Sequence, residues 1–160
     1  MLIRPAYEED YDAIWAMLEA AIASGREFTW RPGSQRGEVL ADWVGKGKHT
    51  YVAEFDGDVV GAYVLKPNQP GLGSHVANGS YVVEAGSRGR GIGRAMGEDS
   101  IRRARDIGFR ALQWNIVVAD NTAAVELWKS LGFEIVGTLP GAFEGPDGEY
   151  LDAHVMYLRL

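Results

Sequence analysis

The 160-residue sequence predicts a mixed α/β domain: a central sheet of about six to seven strands flanked by about four helices. Three observations predict it. Short runs of β-branched and aromatic residues are interspersed with segments whose apolar residues recur at three- and four-residue intervals. The pair Asp56-Gly57 joins two of those runs as a tight hairpin. One run then passes straight through a glycine-rich loop into a helix. No repeat or linker interrupts the pattern, so residues 1–160 are expected to form one domain.

Leu2 to Arg4 reads as a short strand. From Tyr7 to Ile22, the spacing of Tyr11, Ile14, Trp15, Leu18 and Ile22 predicts an amphipathic helix. Gly25 to Gly37 reads as a loop, because Gly, Pro and Ser surround Phe28 and Trp30, and such a loop can line a pocket. A short helix is expected from Glu38 to Trp43, ended by Gly45-Lys46-Gly47. Thr50 to Phe55 and Val59 to Leu65 are the two hairpin strands, and Lys66 to Gly73 is a Pro/Gly-rich loop. A strand from Val76 to Glu84 leads into Gly86-Ser87-Arg88-Gly89-Arg90-Gly91, and the helix that follows runs to Ile107 and stops at Gly108. Ala111 to Val118 is the next strand. Asn121 caps a helix carrying Ala124, Leu127, Trp128 and Leu131, which ends at Gly132. Phe133 to Leu139 and Leu151 to Leu160 are two closing strands, joined by a turn-rich Pro140 to Gly148.

The balance of 46% hydrophobic and 24% charged residues is that of a globular protein and argues against disorder. A net charge of -6 speaks against nucleic acid as a partner, since phosphate backbones attract broad Lys/Arg surfaces. Without cysteine there is no disulfide, thiolate zinc site or cysteine nucleophile, which fits a reducing cytoplasm. No apolar run approaches the roughly 20 residues of a membrane span, and Met1 to Arg4 lacks a signal-peptide pattern, so no membrane is expected. His49, His75 and His154 show no metal spacing, no metal is expected, and no G-x-S-x-G elbow is present.

The chemistry centres on the loop. Glycines at a strand-to-helix junction let backbone N–H groups approach an anion, and the helix N-terminus favours negative charge. Arg88, Arg90 and Arg94 add positive charge there in an otherwise acidic chain. Dinucleotide-binding and Walker A spacings both fail, because Met96 stands where a third glycine is needed and Ile92 stands where a lysine is needed. A plain tight turn with solvated arginines is the competing reading of the loop alone.

At this point the chain resembles the GNAT N-acetyltransferases, whose phosphate loop reads Arg or Gln, two residues, Gly, one residue, then Gly or Ala. Arg88, Gly91 and Gly93 fit that pattern, and Asn121, Ala124, Leu127, Gly132 and Phe133 fit a second signature of the superfamily. The resemblance implies a GNAT fold in which the strands around Tyr81 to Glu84 and Leu112 to Val117 splay apart, with acetyl-CoA as cosubstrate between them. It implies coenzyme contacts from Val82, Val83, Arg88, Gly89, Arg90, Gly91, Ile92, Gly93, Arg94, Asn121 and Trp128. A closer likeness is to acetyltransferases of proline analogues such as azetidine-2-carboxylate and to the phosphinothricin-type branch. His75, Asn78, Tyr81, Asn115, Asn121, Pro140-Gly141-Ala142 and Asp152-Ala153 carry it, and it implies that Asn78 and Asn115 hold a substrate carboxylate.

Acetyl transfer to an amine needs a neutral amine, a stabilised oxyanion and a released thiolate. The resemblance puts the thioester beside the backbone N–H of Val83 as oxyanion donor. Glu84 and Glu27 are the candidate bases, each acting through water, against the plain reading of both as surface carboxylates. The loop residues Glu27, Phe28 and Thr29, with Trp30 and Tyr81, are expected to wall a compact amine site, although the aromatics could equally be satellite packing. The tyrosine acid of many superfamily members is replaced by Trp128, which packs on the core or walls the thioester. An amino-acid-like amine is the expected acceptor and a homodimer the expected assembly. Acetylation of protein N-termini or lysines, and a silent coenzyme A-binding module, are the alternatives.

Overall fold

The computed structural model describes residues 1–160. In chain order the elements are β1 (Leu2–Pro5), α1 (Tyr11–Ser24), α2 (Arg36–Trp43), β2 (His49–Phe55), β3 (Asp58–Pro67), β4 (Val76–Val83), α3 (Ile92–Ile107), β5 (Ala111–Val118), α4 (Thr122–Ser130), β6 (Glu134–Glu144) and β7 (Tyr150–Arg159). The strands form one sheet in the order β1-β2-β3-β4-β5-β7-β6, antiparallel except for the β4–β5 pair.

Several boundaries differ from expectation. α1 starts at Tyr11 because Glu8–Asp10 forms a 3-10 turn instead, in which the Tyr7 N–H donates to the Asp10 carboxylate at 2.8 Å. Arg4 locks that turn to the sheet, with Nη1 2.7 Å from Asp10 and Nε 3.0 Å from Glu54 on β2. The hairpin is as expected: Asp56 and Gly57 take φ of 53° and 92°, the left-handed turn that matches strand twist. Residues 140–142 are strand, not turn. β6 runs through them because it is the sheet edge, where a proline costs no ladder bond, and a register shift between Leu139 and Phe143 absorbs the misfit.

Each strand presents alternate side chains to opposite faces of the sheet. On one face Val52, Ala62, Val64 and Val82 pack against Ile14 and Leu18 of α1 and Val39 and Trp43 of α2. On the other, Leu65, Ala77, Leu112, Trp114 and Met156 pack against Met96 and Ala104 of α3 and Trp128 of α4. Gly61 permits this second layer to sit close, since a Cβ there would stand 3.1 Å from both Ile92 and Met96.

The sheet opens in its middle. β4 and β5 pair only at Val76↔Ala111 and Ala77↔Leu112, and beyond that the parallel strands part. Asn78 Nδ2 bridges the fork, donating to the Gln113 carbonyl at 2.8 Å. On β5 the pairing with β7 also slips between Trp114 and Val117, so Asn115 and Ile116 sit in a bulge beside the opening.

Candidate active site

The open fork is the floor of a cleft of ≈ 620 Å³ that reaches both faces of the sheet. The β3–β4 register decides what its backbone offers. The Glu84 N–H donates to the Val60 carbonyl at 2.9 Å and the Asn68 N–H to the Val76 carbonyl at 2.8 Å. In an antiparallel pair such bonded residues alternate with unbonded ones. Val82 therefore spends its backbone on Ala62, whereas Tyr81 and Val83 turn theirs toward β5, which has already diverged. The Val83 N–H thus faces the cleft, and Val82 does not: its side chain is in the α1/α2 core layer and its polar groups are in the ladder.

On the α3/α4 face the cleft is lined by Gly89 and Gly93 of the glycine loop and by Asn121, Ala124, Leu127 and Trp128. Gly89 and Gly91 adopt φ of 77° and 79°, conformations that a side chain would strain. α3 starts at Ile92 with no side-chain cap, so its first amides are free to face an anion. These features fit a pyrophosphate, and the unladdered edges of β4 and β5 fit an amide-bearing arm such as pantetheine. Asn121 both caps α4, accepting from the Ala124 N–H at 3.2 Å, and lines the cleft. Trp128 packs on the core, 4.8 Å from Tyr81 and 5.2 Å from Trp114, and also lines the cleft.

Not every loop residue is brought to the cleft. Arg88 lines it and pairs with Glu27 at 2.6 Å. Arg90 instead lies over the Phe55 ring at 4.0 Å, Ile92 is buried in the core, and Arg94 donates to Ser130 Oγ at the end of α4 at 2.7 Å. The arginines are long, and a pairing within reach of each draws it away from the loop.

On the α1/α2 face Glu27, Phe28, Thr29, Asn78, Ser80 and Asn115 line the same cleft, joined by Asp42 and Lys66. Glu84 is elsewhere. Its carboxylate accepts from Ser87 Oγ at 2.7 Å and borders a second cavity beneath α1, so of the two candidate bases only Glu27 meets Asn115 in the cleft. Tyr81 does not share a wall with Phe28 either. Strand alternation sends its ring to the α3/α4 face, stacked on Tyr63 at 5.5 Å, with its hydroxyl donating to Ser100 at 2.8 Å. Phe28 packs on Trp43 in the α1/α2 layer, on the opposite side of the sheet from Tyr81, and Trp30 packs in that same layer without reaching the cleft. Burial pushes the Tyr81 phenol up, against the Ser100 hydrogen bond, and burial aided by the Asp99 hydrogen bond does the same to Tyr63, so both hydroxyls stay protonated.

Asp42 and Lys66 were not among the expected residues. Lys66 is the penultimate residue of β3, where composition reads as loop, and its partner is distant in sequence: its Nζ contacts Asp42 Oδ1 and lies 3.4 Å from the Asp42 carbonyl. No cluster of His, Cys, Asp or Glu is arranged to hold a metal, and no helix is long and apolar enough to cross a membrane.

Known proteins share this architecture. A solved GCN5-related N-acetyltransferase from Kribbella flavida superposes with a TM-score of 0.93 at 40% identity, over 99% of this chain and 97% of its own. The structure of yncA from Salmonella typhimurium, described as a putative acetyltransferase with its cofactor acetyl-CoA, gives 0.90 at 25% identity, over 100% and 94%. In sequence, the L-amino acid N-acetyltransferase AaaT of Escherichia coli is 35% identical over 74% of this chain and 72% of its own length. The N-acetyltransferase aca1 of Schizosaccharomyces pombe is 36% identical over 61% of this chain, which spans only 47% of that protein. The sequence pattern of the Acetyltransferase (GNAT) family matches residues 10–133. With that span covering the phosphate loop and the forked strands alike, the chain belongs to the GNAT acetyltransferase family.

Proposed function

We propose that the protein transfers an acetyl group from acetyl-CoA to the amine of a small amino-acid-like substrate. The observation that carries this reading is the fork between β4 and β5 opening beside the glycine loop, which gives one cleft an anion cradle and an unladdered strand edge. The L-amino acid N-acetyltransferase activity in the name of AaaT supports an amino acid as the acceptor class.

Acetyl-CoA supplies an activated thioester. The chain's own part is to hold it and to meet the amine. In this proposal Gly89, Gly91 and Gly93 admit the pyrophosphate to the first turn of α3, and Arg88 turns from Glu27 to the phosphates. Glu27, released from that pair, takes the ammonium proton through a water. The amine then attacks the acetyl carbon, and the Val83 N–H, already aimed at the fork, stabilises the developing oxyanion without reorganisation. Collapse of the tetrahedral intermediate breaks the C–S bond, and the nitrogen passes its extra proton to water. Since Trp128 offers no acidic proton, the thiolate takes one from solvent; an ordinary thiol pKa of about 8.5 makes it a tolerable leaving group.

A cytoplasmic homodimer completes the proposal. β6 is an edge strand with Ile135, Val136 and Leu139 exposed, a surface that monomeric proteins usually blunt. Sedimentation velocity of the purified protein is expected to give twice the monomer mass. The function itself is tested by calorimetry with coenzyme A, followed by thiol release from acetyl-CoA across an amino acid panel. Saturable heat and an amine-dependent release are the expected results; a protein that takes up no coenzyme A defeats the reading.

A further inference from the structure

Two cations line the cleft, and they stand apart in sequence and in partner. Arg88 belongs to the glycine loop and pairs with Glu27, while Lys66 is the penultimate residue of β3 and pairs with Asp42. Lys66 lies directly opposite Asn78 in the β3–β4 register, so the two side chains share the α1/α2 face. Asn115 lines the same cleft from the β5 bulge.

Resting on the function proposed above, we infer that Lys66 is the specificity residue that reads the carboxylate of the acetyl acceptor, exchanging Asp42 for it. The amides around it are poorly placed to do so alone. Asn78 Nδ2 spends one of its two N–H donors on the Gln113 carbonyl at 2.8 Å, where it holds the fork. Asn115 Nδ2 donates to Asn68 Oδ1 at 2.7 Å, and Asn115 Oδ1 accepts from Gln113 Nε2 at 2.9 Å. Both are neutral, and a carboxylate leaving water needs charge as well as donors.

An ammonium has three donors, and Asp42 engages Lys66 through one carboxylate oxygen and a longer carbonyl contact. A donor is therefore open through which the incoming carboxylate can engage before Asp42 leaves. The Lys66 side chain is 21% exposed and Asp42 is 44% exposed, so the lysine is the partly desolvated member and Asp42 can turn to water when displaced. Asp42 itself shows what ligand type Lys66 takes at this place: a carboxylate.

The test compares an amino acid with its own carboxamide, L-leucine and L-leucinamide first and then other pairs, in wild type, Lys66→Met, Lys66→Arg and Asp42→Asn. The two amines titrate differently, so the readout is the ratio of kcat/KM values, acid over amide, normalised to wild type, which cancels that difference. Lys66→Met is expected to lower this ratio about tenfold or more, through KM for the acid, as loss of a charge-assisted hydrogen bond dictates. Lys66→Arg is expected to retain most of it. Asp42→Asn, which frees the lysine, is expected to raise it, an outcome that misfolding cannot mimic. The Kd for coenzyme A, read by calorimetry, is expected to stay within about twofold in all three variants. An unchanged ratio in Lys66→Met, or a loss shared equally by acid and amide, overturns the assignment while leaving the acetyltransferase reading intact. Absence of coenzyme A uptake by the wild type overturns both.

Discussion

Glu27 and Arg88 face each other across the mouth of the cleft, 2.6 Å apart, and each has a second use in the proposed reaction. That shared pairing gives Glu27→Gln an unusual signature. Removing the carboxylate leaves Arg88 free for phosphate, so coenzyme A is expected to bind about two- to five-fold tighter by calorimetry, the scale of a largely exposed ion pair. The same variant is expected to turn over slowly at neutral pH and to recover toward wild type as alkali deprotonates the amine. A pH–rate profile parallel to wild type at all pH values contradicts the base role. At the other end of the chain, the Arg4 guanidinium holds the Asp10 carboxyl below the usual carboxylate range, against the effect of burial and with help from the Tyr7 N–H. A depressed carboxylate stabilises the fold above its unfolded pKa of about 3.9 and loses that contribution as pH falls through the folded value. Asp10→Asn is thus expected to cost about 1–3 kcal/mol at pH 7 in urea titrations, with the gap to wild type closing below about pH 4.

At the scale of elements, two glycines at close approaches differ in what surrounds them. A Cβ on Gly79 would stand 2.9 Å from the Trp114 ring and 3.0 Å from the Val64 carbonyl, neither of which can yield without disturbing the fork. On Gly97 it would meet the Leu131 Cδ1 at 2.5 Å, the end of a flexible side chain, and alanine is the better helix former by about 1 kcal/mol. Gly79→Ala is expected to destabilise by about 2 kcal/mol and Gly97→Ala by clearly less, as chemical denaturation will show. Elements such as the Asp56-Gly57 hairpin and α4 behind Asn121 were legible because their signals are local: a turn pair and a cap. The course of β6 through Pro140 was not, since edge position is a property of the sheet and composition there mimics a turn. In the site, the glycine loop and Asn121 could be read for the same local reason. The facing of Tyr81 away from Phe28 depends on strand phase, and the meeting of Lys66 with Asp42 depends on how α2 docks on β3, so neither is written in any short window.

For the whole molecule, the proposed phosphate cradle exists only when strand, loop and α3 are assembled, so coenzyme A binding and folding would be thermodynamically linked. Coenzyme A at about 100 times its Kd is expected to add about 2.7 kcal/mol, which for a chain of this size raises Tm by about 5–10 °C in scanning calorimetry. Arg88→Gln is expected to shrink that shift without changing the Tm of the protein alone, because the Glu27 pair it breaks is exposed. The fork carries a broader implication. Since the sheet is breached rather than merely grooved, the proposed reaction would give donor and acceptor separate doorways on its two sides, one walled by α3 and α4 and the other by α1 and α2. Residues on the acceptor threshold can be exchanged for a new diet of amines while the donor threshold keeps its grip, which makes this scaffold easy to retune one side at a time.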